Sequence, residues 1–408
     1  MSRAAGPVGL VLGATLLAYS AQQLLTPVLP PLSRELDLTE VELGVVIALA
    51  AATLAVTGPR WGRACDRLGH HAVLVRGLLL ALAGLVGFAA VCAAGTSVDL
   101  PRGVLLAAMI LTRSIVFGAG LAAVPVAALA YMSAVSTGAA QRTRLVGLVG
   151  AVQGGSMIIG PAAGGALAAI ELLLPVYVAP VVLLVVLALL LVRPPAAPGS
   201  AAAADAGDGP PLRVTDRRIL PFLVAGFLLF LGLGLIQVIM GFLYQDRLVL
   251  DAQETASAVG LAGFLIGLVL VATQAGAVPA LRWPSGRLVG VGATVAICGY
   301  AVVAVAGAFW PLTGGLMLVA LGLGLAIPGY NAGALHAVPD AYHGRVAGLL
   351  TAMTGVTFIG GPLLGTVLYR VDDRLPALVA AVLSAAALAT TLVRRRTGVA
   401  GEAETLDR

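Results

Sequence analysis

Residues 144–167 read RLVGLVGAVQGGSMIIGPAAGGAL, and residues 345–368 read RVAGLLTAMTGVTFIGGPLLGTVL. Laid over one another at a shift of 201 residues, ten positions agree. Arg144, Gly147, Leu148, Ala151, Gly154, Ile158, Gly160, Pro161, Gly164 and Leu167 meet Arg345, Gly348, Leu349, Ala352, Gly355, Ile359, Gly361, Pro362, Gly365 and Leu368. In so apolar a chain some coincident Ala, Gly and Leu arise by chance. An Arg and a Pro in the same register are harder to obtain that way. The two stretches therefore read as corresponding helices of two related halves.

The composition says what solvent those halves live in. Of 408 residues, 60% are hydrophobic and 11% charged, against roughly 25% charged in soluble domains. A membrane helix needs about 20 mostly apolar residues. Twelve such runs occur, at 9–31, 41–60, 72–95, 103–132, 145–170, 173–192, 219–245, 256–280, 287–308, 311–337, 346–369 and 376–393. Lipid leaves the backbone no partner but itself, so these runs are helices; they are too long for barrel strands. The N-terminal run imitates a secretory signal, but eleven more follow it, and we read it as an uncleaved first span.

Arginine bias orients the chain. With the N-terminus in the cytoplasm, 18 arginines face inward and five (Arg34, Arg102, Arg247, Arg370 and Arg374) outward, leaving Arg113 inside the membrane. Both termini are then cytoplasmic, in a plasma membrane. The Pro-, Ala-, Gly- and Asp-rich stretch 193–218 reads as a linker. The expected organisation is a six-helix bundle at 1–192, the linker at 193–218, a second six-helix bundle at 219–396 and a tail at 397–408: an all-α membrane protein. Repeated halves of this kind place a substrate site between them near the midplane, with rocking as the transport motion.

Several classes are excluded. The chain has no lysine, so it has neither a Walker A lysine nor a Schiff base. Its net charge of +5 is scattered over short loops rather than gathered on a nucleic-acid-binding face. Three cysteines without ligand spacing suggest no metal, and no cofactor is implied. No nucleophile–base pair stands out in the spans, so an enzyme is not expected.

Two motifs remain. GSMIIGPAAGG, residues 155–165, presents Gly160, Gly164 and Gly165 at helical spacing as a smooth packing face, with Pro161 permitting a bend. GPRWGRACDRLGHH, residues 58–71, falls in the first expected cytoplasmic loop. There Gly62 and Gly69 allow tight backbone geometry, and Asp66 and Arg67 can pair across a closed cytoplasmic face.

Together these residues resemble the major facilitator superfamily, and within it the twelve-span drug:proton antiporters. The family's loop motif G-x-x-x-D-R-x-G matches Gly62, Asp66, Arg67 and Gly69, with His70 and His71 where the family has basic residues. Its fifth-span exporter motif matches Ser156, Gly160, Pro161, Gly164 and Gly165, and its P-x-L-P exit from the first span matches Pro27, Leu29 and Pro30. Its fourth-span arginine is Arg113, although Gly118 and Gly120 stand one residue further along than the family spacing. The resemblance covers nearly the whole chain and implies export. One departure concerns the substrate. Exporters of cationic drugs carry an intramembrane acid, and all 19 acidic residues here fall in loops or at span ends.

Arg113 therefore has no carboxylate to pair with. At the bilayer centre an arginine costs at least about 2.5–3.5 kcal/mol. It either bonds backbone carbonyls or Gln22 and Gln23 to fix packing, or binds an anionic or carbonyl-bearing substrate group, or tunes a titrating neighbour. The other candidate substrate contacts are Tyr19, Gln153, Gln237, Tyr244, Asn331, Thr354 and Thr357, with Met132, Met157, Met240 and Met353 as an adaptable apolar wall. Gating candidates are the 62–69 motif, Arg144, Arg345, Gly160, Pro161, Gly164, Gly165, Gly361 and Pro362. Proton-coupling candidates are His336 and Asp66, with His70 and His71 beside the latter. The expected function is monomeric, proton-coupled export of small organic molecules, neutral or anionic rather than lipophilic cations. The alternatives are uptake symport of an anionic metabolite and, less favoured, a non-transporting membrane receptor.

Overall fold

A computed structural model describes residues 5–193, 216, 218–339 and 342–406. The described chain is helical: α1 (Ala5–Leu24), α2 (Leu29–Glu35), α3 (Glu40–Leu68), α4 (His70–Ser97), α5 (Arg102–Val135), α6 (Ala139–Ala168), α7 (Leu174–Val192), α8 (Leu220–Leu248), α9 (Ala252–Leu281), α10 (Ser285–Val305), α11 (Phe309–His336), α12 (His343–Val371) and α13 (Leu375–Leu406). Ten helices are long and apolar enough to cross a bilayer; the pair α1 and α2 makes an eleventh, and α13 opens on a shorter apolar stretch, Leu375–Thr390. Most of the linker lies outside the described residues.

Two expectations need correcting. The first apolar run is not one helix, because Pro27, Pro30 and Pro31 remove amide donors; α1 stops at Leu24 and α2 leaves at 40° to it. The stretch 58–71 is not a loop either. α3 runs on through Gly62 to Leu68, and α4 begins at His70. The whole connection is Gly69, whose φ of +81° a residue with a Cβ rarely adopts. Gly62 sits in helix with open space around it.

Helix starts and hydroxyl groups follow local rules. Thr39 and Glu42 form a capping box at the start of α3, with Glu42 Oε2 accepting the Thr39 amide at 2.7 Å. Within the spans, several hydroxyls bond the preceding turn: Thr15 to the Val11 carbonyl at 2.8 Å, Thr273 to Val269 at 2.7 Å and Ser384 to Ala380 at 2.8 Å. Such a bond lets a polar side chain enter an apolar helix without an unmet donor.

The chain forms two compact units, Met1–Ala203 with Met240–Phe264, and Ala204–Ile239 with Leu265–Arg408. In the first, glycines let backbones touch. α4 and α5 meet where Gly77 and Gly84 face Ala123 and Phe117, and Gly120 faces Ala81. α6 lies on α1 with Gly160 against Gln23 and Gly164 against the Leu24 carbonyl. Gly165 meets Gly260 of α9, and Pro161 lies under Gly263. In the second, Gly292 faces Gly322 and Gly299 faces Gly315 where α10 crosses α11. α12 lies on α8 with Gly361 against Gly234 and Gly365 against the Leu235 carbonyl. Both repeat prolines, Pro161 and Pro362, sit inside unbroken helices.

Candidate substrate site

Arg113 lies in a π turn, Ile110–Val116, in the middle of α5. The Phe117 amide donates to the Thr112 carbonyl, five residues back. A π turn takes up one extra residue without breaking the rod. This is the one-residue excess between Arg113 and Gly118 seen in the sequence. The turn is anchored on both sides: Ser114 Oγ donates to the Val46 carbonyl of α3 at 2.6 Å, and the Thr112 methyl packs over Gly87 of α4.

The Arg113 side chain is 7% exposed. Its guanidinium carbon stands 4.7 Å from the centroid of the Phe117 ring. A desolvated cation–π contact of this kind contributes about 2 kcal/mol, less than burying the charge costs. Its Nε is buried with no hydrogen-bond partner. Among the described residues the guanidinium donates to no backbone carbonyl and to neither Gln22 nor Gln23. The packing role that would use such bonds is not what this geometry offers.

The remaining candidates divide between the units. In the first, Tyr19 of α1 and Gln153 of α6 meet through a polar side-chain contact. Gln22 and Gln23 are half-buried, and Tyr244 is fully buried. In the second, Gln237 and Asn331 are half-buried, and Asn331 has a polar contact with Tyr330. Thr354 donates to the Leu350 carbonyl at 2.9 Å and Thr357 to the Thr354 carbonyl at 2.7 Å, so both hydroxyl protons are committed to their own helix. Of the methionines, Met132 is core, packed with Val11, Ala128, Tyr131 and Val149; Met157 is exposed, Met240 half-buried, and Met353 reaches toward Gly226.

The gating and proton-coupling candidates are more dispersed. Asp66 and Arg67 are exposed, and Asp66 forms no ion pair among the described residues. Arg144 is exposed, and the Arg345 guanidinium carbon lies 5.8 Å from the Tyr342 ring centroid. His336 is exposed in the last turn of α11. His71 Nε2 lies 3.3 Å from the Leu190 carbonyl, while His70 packs its ring 4.7 Å from that of Tyr131.

Two clusters escape a reading of single residues. Arg34 of α2 holds Asp246 through both guanidinium nitrogens, bonds Glu40 at 3.0 Å and Gln245 at 3.2 Å, and lies 4.9 Å from the Phe242 ring centroid. It ties α2 to the end of α8 within the first unit. In the second unit Phe230, Tyr330 and Phe358 gather from three helices. The only sequence signal for it is that Gly226, Phe230, Gly234 and Gln237 share one face of α8.

The family model described as Major Facilitator Superfamily matches residues 11–353. The class C tetracycline resistance protein of Escherichia coli is 26% identical over 377 residues, 88% of each chain. The class G tetracycline resistance protein of Vibrio anguillarum is 28% identical over 364 residues, 85% of this chain and 86% of that protein. A crystal structure of a bacterial homologue of the human lysosomal transporter Spinster, inward-facing and occupied, superposes with a TM-score of 0.73 at 13% identity, covering 96% of both chains. With ten spanning helices and a bent pair among the described residues, and with the family match over most of its length, the chain belongs to the major facilitator superfamily: it is a multi-pass membrane transporter and not an enzyme.

Proposed function

We propose that this transporter exports small organic molecules across a plasma membrane by alternating access driven by protons, and that Arg113 anchors an anionic or carbonyl-bearing group of the substrate. The observation that carries the reading is the guanidinium of Arg113, buried in α5 with an orphaned Nε and packed on the ring of Phe117. A planar fork of donors suits a carboxylate or a polarised carbonyl and holds it bidentately. Tetracycline resistance proteins among its relatives support export of drug-like molecules rather than uptake of a metabolite. The arginine bias supports both termini in the cytoplasm, which puts α2 at the external face.

The test is accumulation of a panel of cationic, neutral and anionic antibiotics, tetracycline included, in cells lacking their main exporters. Wild type is compared with Arg113→Ala and empty vector, with and without a protonophore. The reading expects wild type to lower accumulation of a neutral or anionic compound, and both the protonophore and Arg113→Ala to abolish that. Raised accumulation in wild type would reverse the direction and favour symport. Normal export by a well-expressed Arg113→Ala would remove the arginine from the site.

A further inference from the structure

The corner where α3 meets α4 holds an imidazole with nowhere to put a second proton. His70 is the first residue of α4, and Gly69 alone separates it from α3. Its ring lies 4.7 Å from that of Tyr131, the planes crossing at 54°. Tyr131 is buried in a core with Val11, Ala128, Met132 and Val149. His70 is half-buried, and its Nε2 is buried with no hydrogen-bond partner. A neutral imidazole fits there with its proton on Nδ1 and Nε2 bare. An imidazolium carries an N–H on both nitrogens, so the second N–H would be buried unmet together with the charge.

His71 behaves differently. Its Nε2 lies 3.3 Å from the Leu190 carbonyl of α7. A carbonyl only accepts, so Nε2 donates, and it can do so whether the ring is neutral or charged. One histidine of the pair tolerates a proton where it stands and the other does not.

The surroundings offer a charged His70 little compensation. α4 packs on α3, α5 and α7. Near this corner α3 brings Cys65, Asp66 and Arg67, the last two exposed; α5 brings Tyr131; α7 ends at Arg193, which is exposed. Arg144 of α6, beside the Tyr131 core, is exposed too. Among the described residues no carboxylate bonds His70. A cation in the first turn of a helix opposes the helix dipole, and His71 is a second titratable cation next to it. The Tyr131 ring attracts a cation but leaves the N–H unmet.

We propose that His70 is an acid switch. Neutral, it plugs onto Tyr131 and holds the adjoining ends of α3, α4 and α5 together; protonated, it leaves that core and loosens them. The packing is complete above the titration of His70 and is lost as the pH falls through it. Gly69, with a φ of +81° and open space around it, is the hinge that keeps the release local. The arginine bias puts this corner at the cytoplasmic face, so the switch reads cytoplasmic acid. That side, and nothing else in the proposal, rests on the orientation proposed above.

The test is hydrogen exchange on the purified full chain in nanodiscs, corrected for intrinsic exchange. Between about pH 8 and about pH 5, the amides of 70–76 and 128–134 in wild type should come to exchange about fivefold faster, as about one unit between packed and released imidazole requires. Residues 312–320 of α11, which hold no titratable group, should not change. With four histidines in the chain, labelled imidazole signals give the titration of His70 directly, and its midpoint should match that of the exchange change. His70→Phe, which keeps a ring on Tyr131, and His70→Gln should each remove the pH dependence, and His71→Gln should keep it. Equal exchange at both pH values in wild type overturns the switch, as does pH dependence that survives in His70→Phe or His70→Gln. Loosening that extends to 312–320 is acid unfolding of the whole chain and equally sinks it.

Discussion

α6 on α1 and α12 on α8 are the same construction made twice. In each unit one glycine of the repeat abuts the neighbouring helix, Gly160 on Gln23 and Gly361 on Gly234. Four residues later the next lies on a leucine carbonyl, Gly164 on Leu24 and Gly365 on Leu235. The earlier glycine pairs, Gly147 with Gly348 and Gly154 with Gly355, have nothing within 4 Å in either unit. The match extends to where the helices are tight and where they are open. The chemistry does not follow it. The first unit sets a buried arginine in the middle of α5, whereas α11 of the second has no charge until His336 and contributes an aromatic ring instead. Repetition therefore marks what builds the bundle, and it does not extend to the buried arginine or to the aromatic ring of Tyr330.

The strongest way to break this comparison is at the tight glycines. Gly164→Leu and Gly365→Leu should each drive a side chain into a backbone carbonyl that cannot move aside. Overpacking costs about 1–3 kcal/mol where neighbours can yield, and more where they cannot. Both variants should lose the monodisperse peak on size-exclusion chromatography in detergent. If one is well folded and the other is not, the two crossings are not equivalent.

Next in size is the diverged charge. Arg113→Lys keeps the charge but loses the fork, and should lower export at least about tenfold while expression and melting temperature stay near wild type. A lysine that exports normally would reduce Arg113 to a point charge and blur the contrast with α11.

The α2 clamp comes third. Arg34 and Asp246 are partly exposed, at 28% and 42% of their side-chain surface. Removing the pair by Arg34→Met should therefore destabilise by no more than about 1 kcal/mol, read as a small fall in melting temperature that shrinks at high salt. A fall of many degrees, independent of salt, would show instead that the apolar stem on Phe242 carries the contact.

The smallest effects belong to the open glycines. Gly147→Ala and Gly348→Ala meet no atom and gain helix propensity of up to about 1 kcal/mol, so each should melt at or slightly above the wild-type temperature. A sharp loss at either would mean that something in the membrane packs there.

The sequence was sufficient for the architecture. Lipid forces every apolar run of spanning length into a helix, so composition counts the rods, and the Arg-to-Leu repeat at 144–167 and 345–368 pairs the halves. It also showed Arg113 to be an anomaly, because a charge in an apolar run is visible without coordinates. It misjudged residues 58–71, because a Gly- and Arg-rich stretch beyond the apolar core reads as loop when only Gly69 turns the chain. What only tertiary structure decided was direction. Whether Arg113 bonds a neighbour depends on a π turn that a linear spacing shows only as one residue too many. That Phe230 meets Tyr330 and Phe358, about 100 residues or more away along the chain, is likewise visible only in the folded bundle. In a helix bundle nearly every residue is apolar, so the pattern along the chain says little about facing. Which groups meet is set by where glycines let helices approach, and that is a property of pairs of helices rather than of one.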